Sequence, residues 1–338
     1  MKINKPKFWD YKKPNIFAIL LLPFTLIIRI NIFFQYIKKN LINKNLNYNI
    51  KTICIGNIYI GGTGKTPSAI KIKQILRKIN FNPIFIKKNH AESYDEQKLL
   101  EKYGEVISLP KRIDSLNLAN NKFDVAIFDD GLQDNSINYN LKIVCFNIKN
   151  FIGNGLLIPS GPLREKISSL KKYDAVFVNG NNDDSNKMIS IIKKHNKEIN
   201  IFESSYTFLN ISEFDSNNNY VAFSGIGIPM NFLTSLKNNK INVVKFFEFP
   251  DHHVYNNKDI EKIKNIARTL NAKIITTEKD YTRLENNKNS LLKENIKFVK
   301  MELNFKYEDK LINFIKKKYA TNKIFFSIHN NYNLFFNF

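Results

Sequence analysis

Short apolar runs alternate with longer amphipathic stretches along most of this chain. The apolar runs are rich in Ile, Val and Phe, and they predict strands. These strands cover residues 52–55, 83–86, 106–109, 125–128, 142–146, 175–178, 221–223, 243–247 and 273–276. Apolar positions at helical spacing predict helices over 67–79, 96–102, 230–236 and 258–270, and a solvated helix with loops within 180–200. The alternation predicts an α/β fold, with a parallel sheet covered by helices on both faces.

The order of the predicted elements divides the chain into two α/β units of different size. We expect a phosphate-loop domain over residues 46–215 and a second, smaller α/β domain over 216–315. Residues 1–45 contain an apolar helix, and residues 316–338 form a tail rich in Phe, Asn and Tyr without a clear period.

The apolar stretch near the N-terminus is unusual. Residues 16–28 are apolar apart from Thr25, with Pro23 inside the run and Arg29 directly after it. The run is shorter than the roughly 20 apolar residues that span a bilayer, and no small-residue cleavage site follows it. It favours a helix in the membrane interface, flanked by lysines that meet anionic headgroups. A buried core helix and a single-pass anchor are the alternatives.

The composition is strongly basic and poor in cysteine. The chain has 52 Lys and Arg against 30 Asp and Glu, a formal net charge of +22. Such a charge suits phosphorylated substrates, anionic membranes or nucleic acid, although a general bias toward Lys and Asn explains it equally well. No arginine-rich recognition helix, RNA-binding signature or zinc spacing is present, so no nucleic-acid partner is expected. Cys54 and Cys145 lie in apolar runs and predict core residues, not a disulfide framework.

The glycine-rich run after the first predicted strand carries the strongest chemical signal. Residues 59–67 read Tyr-Ile-Gly-Gly-Thr-Gly-Lys-Thr-Pro and lead into a predicted helix. Strand, glycine-rich turn and helix start, in this order, allow backbone N–H groups and the helix dipole to hold a phosphate. Lys65 is predicted to reach the terminal phosphates, and Thr66 to bind Mg²⁺. Tyr59 stands where the strict motif has glycine, and a simple glycine-rich hairpin is the alternative.

Two further segments suit a nucleotide site. Asp129 and Asp130 follow a predicted strand, at the sheet edge where parallel α/β folds bind ligands and where a phosphate-loop enzyme needs a carboxylate for Mg²⁺. Ordinary turn chemistry is the alternative there. The loop over 153–165 ends in Arg164 and Glu165, which suits one cation and one carboxylate near a phosphate or metal. An ordinary helix start is the alternative for that pair.

Three acidic or histidine-containing segments are less specific. Residues 251–253 read Asp-His-His; neighbouring histidines on a strand point apart, so an acid–base histidine is favoured over a metal site, with a capping pair as the alternative. Asp95 and Glu96 precede a predicted helix, where Asp usually serves as a cap. Residues 276–280, Thr-Thr-Glu-Lys-Asp, favour a structural role, with the lining of an interdomain cleft as the alternative.

Taken in order, these motifs resemble the tetraacyldisaccharide 4′-kinases of lipid A synthesis, and the resemblance spans about residues 8–284. The matching segments are Phe8-Trp9, Gly56-Asn57, Gly61-Gly62-Thr63-Gly64-Lys65-Thr66-Pro67, Asp129-Asp130-Gly131-Leu132-Gln133, Gly153-Asn154-Gly155, Gly161-Pro162-Leu163-Arg164-Glu165, Gly225-Ile226-Gly227, Phe249-Pro250-Asp251-His252-His253 and Thr276-Thr277-Glu278-Lys279-Asp280. The phosphate loop of this family generally lacks the first glycine as well.

The resemblance implies an enzyme at the cytoplasmic face of the inner membrane. It would transfer the γ-phosphate of ATP to the 4′-hydroxyl of an acylated glucosamine disaccharide 1-phosphate, forming lipid IVA, with ATP and Mg²⁺ as cofactors. The implied catalytic residues are Asp95 as base, His252 as the residue that activates or orients it, and Lys65. The implied nucleotide-binding residues are Tyr59, Ile60, Gly61, Gly62, Thr63, Gly64, Lys65, Thr66, Arg112 and Arg164. The implied metal ligands are Thr66, Asp129, Asp130 and Glu165.

The sequence departs from the family after its second predicted strand. The family usually has Ser-Arg-Gly-Tyr-Gly there, whereas residues 87–90 of this chain read Lys-Lys-Asn-His. The segment before Asp95 is also shorter, Tyr94 replaces the usual Gly, and Asp134 stands where a His is common. An active kinase with a shortened segment is one interpretation. The others are an ATP-binding relative with weakened or altered acceptor specificity and, from the charge alone, a nucleic-acid-associated ATPase.

Overall fold

Two β-sheets organise the protein. The computed structural model describes residues 5–30, 48–89, 94–180, 185–285 and 295–319. The strands are β1 (Lys51–Gly56), β2 (Pro83–Lys88), β3 (Val106–Leu109), β4 (Val125–Asp129), β5 (Leu141–Asn147), β6 (Ala175–Asn179), β7 (Asn200–Phe208), β8 (Asn219–Ser224), β9 (Asn242–Glu248), β10 (Ala272–Thr277), β11 (Ile296–Val299) and β12 (Met301–Phe305). The helices are α1 (Ile16–Leu20), α2 (22–30), α3 (Lys65–Lys78), α4 (Tyr94–Tyr103), α5 (Arg112–Ala119), α6 (Asn186–His195), α7 (Pro229–Asn238), α8 (Asn257–Thr269), α9 (Glu278–Glu285) and α10 (308–319).

The larger sheet has eight strands in the order β12-β7-β6-β5-β1-β4-β2-β3. Its central strands are buried on both faces, which explains their continuous apolar sequences. Helix α3 packs Ala69, Ile72 and Leu76 against one face, and α10 packs Leu311 and Ile315 on the same side. The opposite face carries its own apolar core, which includes residues of α5 and α6. We call this sheet and its helices, residues 48–208 and 301–319, the first domain.

The smaller sheet has four parallel strands in the order β11-β10-β8-β9. Helices α7, α8 and α9 connect these strands, and their apolar faces form two further cores with the sheet. We call residues 219–299 the second domain. The turn after β8 contacts the turn after β1, so the carboxyl ends of these two strands meet. The space between these two edges is the interdomain cleft.

The α/β fold predicted from the pattern is confirmed, and each of the nine predicted strands lies within one or two residues of its expected bounds. Strands β7, β11 and β12 were not predicted. Cys54 and Cys145 are fully buried, as predicted for core residues. The larger sheet has one antiparallel edge that the pattern did not predict, because β12 pairs antiparallel with β7. The expected domain boundary at 315 also differs from the structure: β12 and α10 return to the first domain.

Helices α1 and α2 expose most of their apolar side chains. Ile16, Phe17, Phe24 and Ile27 are each more than half exposed, whereas Ala18 and Thr25 are buried, so the alternative of a buried core helix is wrong for these residues. In the described parts of the chain, no helix combines the length and the apolar character needed to cross a membrane. Residues 31–47, and most of the predicted tail over 316–338, lie outside the described residues.

Candidate active site

The glycine-rich turn between β1 and α3 has a backbone that favours glycine. Gly61, Gly62 and Gly64 have φ angles of 78°, 46° and 82°, in the left-handed region that other residues rarely adopt. Gly64 is the N-cap of α3, and Lys65 is the first residue of the helix. The turn therefore presents a helix N-terminus, with its N–H groups and positive dipole end, at the interdomain cleft.

Buried polar side chains fix this turn. Asn57 donates a hydrogen bond to Thr63 Oγ1 at 3.0 Å, and Asn179, the last residue of β6, donates to the Thr63 carbonyl at 2.7 Å. A Cβ atom on Gly64 would lie 2.6 Å from both Asn179 Nδ2 and the Tyr206 hydroxyl. The turn is thus held on its outer side by the first domain, and no larger residue fits at its last glycine.

Tyr59 and Ile60, two of the residues implied to bind the nucleotide, make several contacts within the protein. The Ile60 N–H donates to the Pro162 carbonyl at 2.9 Å, and Tyr59 forms a bridge with Leu163. The buried Tyr59 hydroxyl bonds Asp10 and accepts from Asn150. These groups of Tyr59 and Ile60 therefore contact the 153–165 loop and the N-terminal segment, and the implied role of the two residues in nucleotide binding stays a prediction.

Asp129, at the end of β4, lies beside the helix start. Its Oδ2 accepts from Thr66 Oγ1 at 3.0 Å and from Lys87 Nζ at 2.6 Å. Its Oδ1 is buried without a hydrogen-bond partner among the described residues. Lys87 also pairs with Glu96, and the two carboxylates raise the pKa of this lysine against the opposing effect of its burial. An acidic strand end and the threonine of the phosphate loop are thus in direct contact.

Asp130 faces the cations of the site. It adopts a left-handed conformation with φ of 61°, and its carboxylate lies 3.7 Å from Lys65 Nζ and 2.7 Å from Arg164 Nη1. Burial opposes ionisation, but Lys65 and Arg164 outweigh it and hold the pKa of Asp130 well below its usual range. Arg112 donates to the Asp130 carbonyl and pairs with Asp134 at 3.2 Å. Both arginines implied to balance phosphate charge therefore lie at this strand end.

Glu165 accepts hydrogen bonds from neutral partners, and its Oε2 lies 3.9 Å from Lys172 Nζ. Its Oε1 accepts from Gln133 Nε2 at 2.9 Å and from the Tyr173 hydroxyl at 2.8 Å. Gln133 in turn accepts from Arg164 at 3.2 Å, which links Glu165 to the group around Asp130. Within the described residues, no cluster of three or more His, Cys, Asp and Glu side chains is arranged to hold a metal. The metal ligand set stays a prediction.

Asp95 and His252 meet across the cleft. Asp95 lies near the start of α4 in the first domain, and His252 follows β9 in the second; His252 Nδ1 lies 3.2 Å from Asp95 Oδ1 and 3.1 Å from Oδ2. Arg283 on α9 contacts the same carboxylate, with Nη2 at 2.6 Å from Oδ2. The neighbouring His253 instead bonds Asp259, at the start of α8, at 2.9 Å. The two adjacent histidines therefore contact different helices, His252 near the start of α4 and His253 near the start of α8.

Three cations of the cleft were not among the site residues implied by the sequence, although lining a cleft was the alternative for the segment that contains Lys279. Lys87 lies near the end of β2 beside Asp129, and Lys279 and Arg283 lie one turn apart on α9. Lys279 Nζ lies 3.3 Å from Glu96 and 3.6 Å from Asp95, so residue 279 lines the cleft, whereas Asp280 has the structural role expected for this segment. Lys279 and Arg283 stand at i, i+4 spacing, and this basic pair was the sequence signal that could have pointed to them as site residues.

The N-terminal segment packs on the loop that carries Arg164. Trp9 Nε1 donates to the Pro159 carbonyl at 3.0 Å, and the Trp9 carbonyl accepts from the Asn154 N–H at 2.9 Å. In α2, Thr25 Oγ1 lies 2.8 Å from Ser160 Oγ. The exposed apolar helices are thus joined to the 153–165 loop, whose far end supplies a cation to the site.

The sheet order and the helix N-terminus after β1 place the protein in the class of phosphate-loop enzymes, which bind nucleotide phosphates at this position. Comparison with known proteins narrows the class. A family model described as tetraacyldisaccharide-1-P 4′-kinase matches residues 17–320. The chain therefore belongs to the tetraacyldisaccharide-1-P 4′-kinase family, which confirms the resemblance found in the sequence motifs.

Individual relatives agree with this family. A tetraacyldisaccharide 4′-kinase of Pelagibacter ubique is 53% identical over 314 residues, which cover 93% of this chain and 97% of the relative. A protein of the same name from Rickettsia canadensis is 35% identical, over 86% of this chain and 92% of its own length. A crystal structure of the "apo" form of LpxK from Aquifex aeolicus in complex with ATP has a TM-score of 0.67 and 23% identity, covering 89% of this chain and 99% of its own. That likeness supports the fold.

Proposed function

We propose that the protein is an ATP-dependent kinase that phosphorylates the 4′-hydroxyl of an acylated glucosamine disaccharide 1-phosphate, in the formation of lipid IVA. One observation carries the proposal: the contact between Thr66 of the glycine-rich turn and Asp129, opposite the Asp95–His252 pair. A site with a phosphate-binding turn on one side and a carboxylate on the other suits phosphoryl transfer to a hydroxyl. The names carried by the relatives supply the acceptor class.

The residues around the turn would bind and align the nucleotide. Backbone N–H groups of residues 61–65 and the ammonium of Lys65 would hold the β- and γ-phosphates, and Arg164 and Arg112 would balance their charge. Such alignment and charge neutralisation supply most of the catalysis in phosphoryl transfer. Lys65 pairs with Asp130 in this structure, so a bound phosphate would compete with Asp130 for this ammonium.

The site fits a magnesium ion. Asp129 Oδ1 is a buried carboxylate oxygen without a partner among the described residues, and Mg²⁺ typically takes one or two carboxylates plus waters and substrate phosphates. Thr66 and Asp129 would hold the ion, with Asp130 and Glu165 as the further predicted ligands. When bound, Mg²⁺ neutralises charge on the β- and γ-phosphates.

Asp95 would receive the proton of the acceptor hydroxyl. The hydroxyl oxygen attacks the γ-phosphorus, its proton passes to the Asp95 carboxylate, and the bond to the β–γ bridging oxygen breaks as ADP leaves with the electron pair. His252 contacts both oxygens of Asp95 and would orient the carboxylate. Burial of Asp95 would raise its pKa, but the His252 hydrogen bond, Lys279 and Arg283 hold that pKa well below its usual range.

The location proposed for this activity is the cytoplasmic face of the inner membrane. Exposed apolar side chains on α1 and α2 would enter the interfacial layer of the bilayer. An acceptor with several acyl chains stays in that layer, and ATP is available on the cytoplasmic side. The contacts of Trp9 and Thr25 with the 153–165 loop would keep the active site close to the membrane surface.

The decisive assay measures phosphate transfer from γ-labelled ATP to a tetraacyl disaccharide 1-phosphate in detergent micelles. Wild-type protein should phosphorylate the disaccharide, Lys65→Ala should abolish transfer, and Asp95→Asn should reduce it by about 100-fold or more, the usual contribution of a general base. Lys88→Ala, an exposed neighbour of the site, is the matched control. Folded wild-type protein that binds ATP but transfers no phosphate would contradict the proposal.

A second candidate is an ATP-binding relative with weakened or altered acceptor specificity. The buried Lys87, which joins Asp129 to Glu96, occupies the segment where the family has its glycine-containing motif. ATP binding with turnover of a different hydroxyl acceptor, or with very slow turnover of the disaccharide, would favour this candidate.

A further inference from the structure

Residues of the second domain contact the two oxygens of the Asp95 carboxylate unequally. Arg283 places Nε at 2.9 Å and Nη2 at 2.6 Å from a single oxygen, Asp95 Oδ2. Lys279 Nζ is also nearest this oxygen, at 3.6 Å. The other oxygen, Oδ1, lies 3.2 Å from His252 Nδ1. The two oxygens of the carboxylate therefore have different surroundings.

Arg283 is itself fixed before it reaches Asp95. Its Nη1 donates to Asp280 Oδ1 at 2.7 Å and to the Gly225 carbonyl at 2.6 Å. Asp280 is fully buried and accepts further bonds from the Tyr255 hydroxyl and the Gly225 N–H. The Arg283 side chain is only 7% exposed. A planar fork held at one end by the second domain is suited to set the orientation of a carboxylate at its other end.

We infer that Arg283 is a positioning residue for the proposed base: it holds Oδ2 of Asp95 across the domain interface and leaves Oδ1 as the oxygen that receives the acceptor proton. This inference rests on the proposed kinase function. It assigns a catalytic purpose to a residue of α9 outside the motifs that carry the family resemblance.

The charges around Asp95 give the inference a measurable signature. Arg283 and Lys279 face Asp95 from α9, His252 faces it from the loop after β9, Asp251 lies 3.8 Å from Arg283 Nη2, and Glu96 is its neighbour on α4. The pKa of Asp95 is lowered jointly by His252, Lys279 and Arg283 against the effect of burial. Removal of the guanidinium should raise this pKa, so the acid limb of the rate profile should move to higher pH.

The test compares Arg283→Met and Arg283→Lys with wild type, using kcat and KM for ATP between pH 5 and 9 in the disaccharide assay. Arg268→Met is the control, because Arg268 is an exposed arginine of the same domain outside the site. For Arg283→Met we expect kcat to fall about 10-fold or more, KM for ATP to stay within about twofold, and the acid limb to move upward. Arg283→Lys keeps the positive charge. We expect its kcat to fall, while the acid limb of its pH–rate profile stays near the position of the wild-type limb.

Each outcome decides the inference. An Arg283→Met profile that coincides with wild type, or a kcat loss no larger than that of Arg268→Met, overturns it. If Arg283→Met does not fold, Arg283→Lys decides, because unchanged kcat in that variant also overturns it. Wild-type protein without transfer activity would instead contradict the proposed function, so the two failures are distinguishable.

Discussion

Gly227 of the second domain lies directly against Gly62 of the phosphate loop. A Cβ atom on Gly227 would stand 2.6 Å from the backbone nitrogen of Gly62 and 2.8 Å from its Cα, and a Cβ on Gly62 would stand 2.8 Å from Ile228 Cγ1. These two glycine-rich segments follow strands of different sheets, yet they touch through their backbones. The small residues after β8 are therefore explained by the approach of the phosphate loop.

This contact predicts that Gly227→Ala displaces the loop. Separations below 3.0 Å to backbone atoms cannot be relieved by rotating a side chain, so the loop or the turn after β8 must shift. A displacement approaching 1 Å costs up to about 100-fold in rate when it misaligns reacting groups. We expect kcat of Gly227→Ala to fall by about 10-fold or more in the transfer assay.

Gly155→Ala provides a comparison outside the interface, because the nearest atom to its added Cβ is 4.0 Å away although its φ is 78°. That variant should lose some stability from backbone strain and keep most of its kcat. Equal kcat losses in both variants would argue against a role for the Gly62–Gly227 contact.

The buried Lys87 should be a large contributor to stability. Its ammonium lies between Asp129 and Glu96, and its side chain is 4% exposed. Removing one partner of a buried ion pair leaves the other charges uncompensated, which typically costs about 3–5 kcal/mol. We expect Lys87→Met to lower the free energy of unfolding by about 3 kcal/mol in urea titrations. Lys88→Met, at an exposed position, should change it by less than about 0.5 kcal/mol; similar values for both would contradict the prediction.

The buried Lys73 on α3 should destabilise the protein. Its removal should therefore change the free energy of unfolding in the direction opposite to the removal of Lys87. Lys73 is 1% exposed, with Nζ 4.2 Å from the Phe85 ring centroid and 3.3 Å from the Glu105 carbonyl. Burial, aided by the charge of Arg77, lowers its pKa from 10.5 to about 8. The unfolded chain therefore binds this proton more tightly than the folded protein, and the resulting cost is present below pH 8 and is relieved as pH rises toward 10.5.

We accordingly expect Lys73→Met to raise the free energy of unfolding at pH 7 by about 1–3 kcal/mol. The gain should shrink between pH 8 and 10.5, and parallel urea titrations of the two proteins across this range would measure it. The exposed Lys122→Met should give no such pH-dependent difference. A gain that stays constant with pH would point to packing instead of charge.

The apolar helices α1 and α2 predict membrane binding through side chains. Phe17 and Ile27 are 62% and 63% exposed, and each large apolar side chain contributes about 1.5–3 kcal/mol when removed from water. The double variant Phe17→Ser/Ile27→Ser should bind vesicles containing anionic phospholipid at least about 10-fold more weakly by sedimentation, with ATP binding unchanged. Leu118→Ser, at an exposed leucine of α5, is the control. Vesicle binding by the double variant at wild-type strength would rule out these helices as the contact.

The parts of the fold that sequence reasoning predicted are local in the chain. Strand β1, the glycine turn and α3 follow one another within 28 residues, and each carries its own signal in apolar spacing or glycine content. By contrast, β7 lies in an Asn-rich, polar region, and its antiparallel partner β12 comes about 90 residues later. Neither strand was predicted. Met301, Leu303 and Phe305 do alternate with polar residues in β12, but this short pattern does not report a partner so far away in the chain.

The site residues divide in the same way, into those with a local sequence signal and those brought in by distant parts of the chain. Lys65, Thr66 and Asp129 were predicted because they sit in a recognisable order around one strand and one helix. Arg283 and Lys279 reach Asp95 and Glu96 only because the second domain folds back over α4. Their i, i+4 spacing marks a basic helix face but does not tell which residues that face approaches. The contact of the Ile60 amide with the Pro162 carbonyl could not be predicted, because Pro162 lies in a loop about a hundred residues away.

Because β12 pairs with β7, the sheet of the first domain can be completed only late in synthesis. The whole second domain is inserted between these two neighbouring strands, so its two connections to the first domain leave side by side. A ribosome has to release residues 219–299 before the last edge strand and the apolar residues of α10 are available. Until then the first domain lacks β12 and α10, and Phe177 lacks its ring contact with Phe305. The nucleotide-binding half, although it begins first, is therefore the last to finish folding.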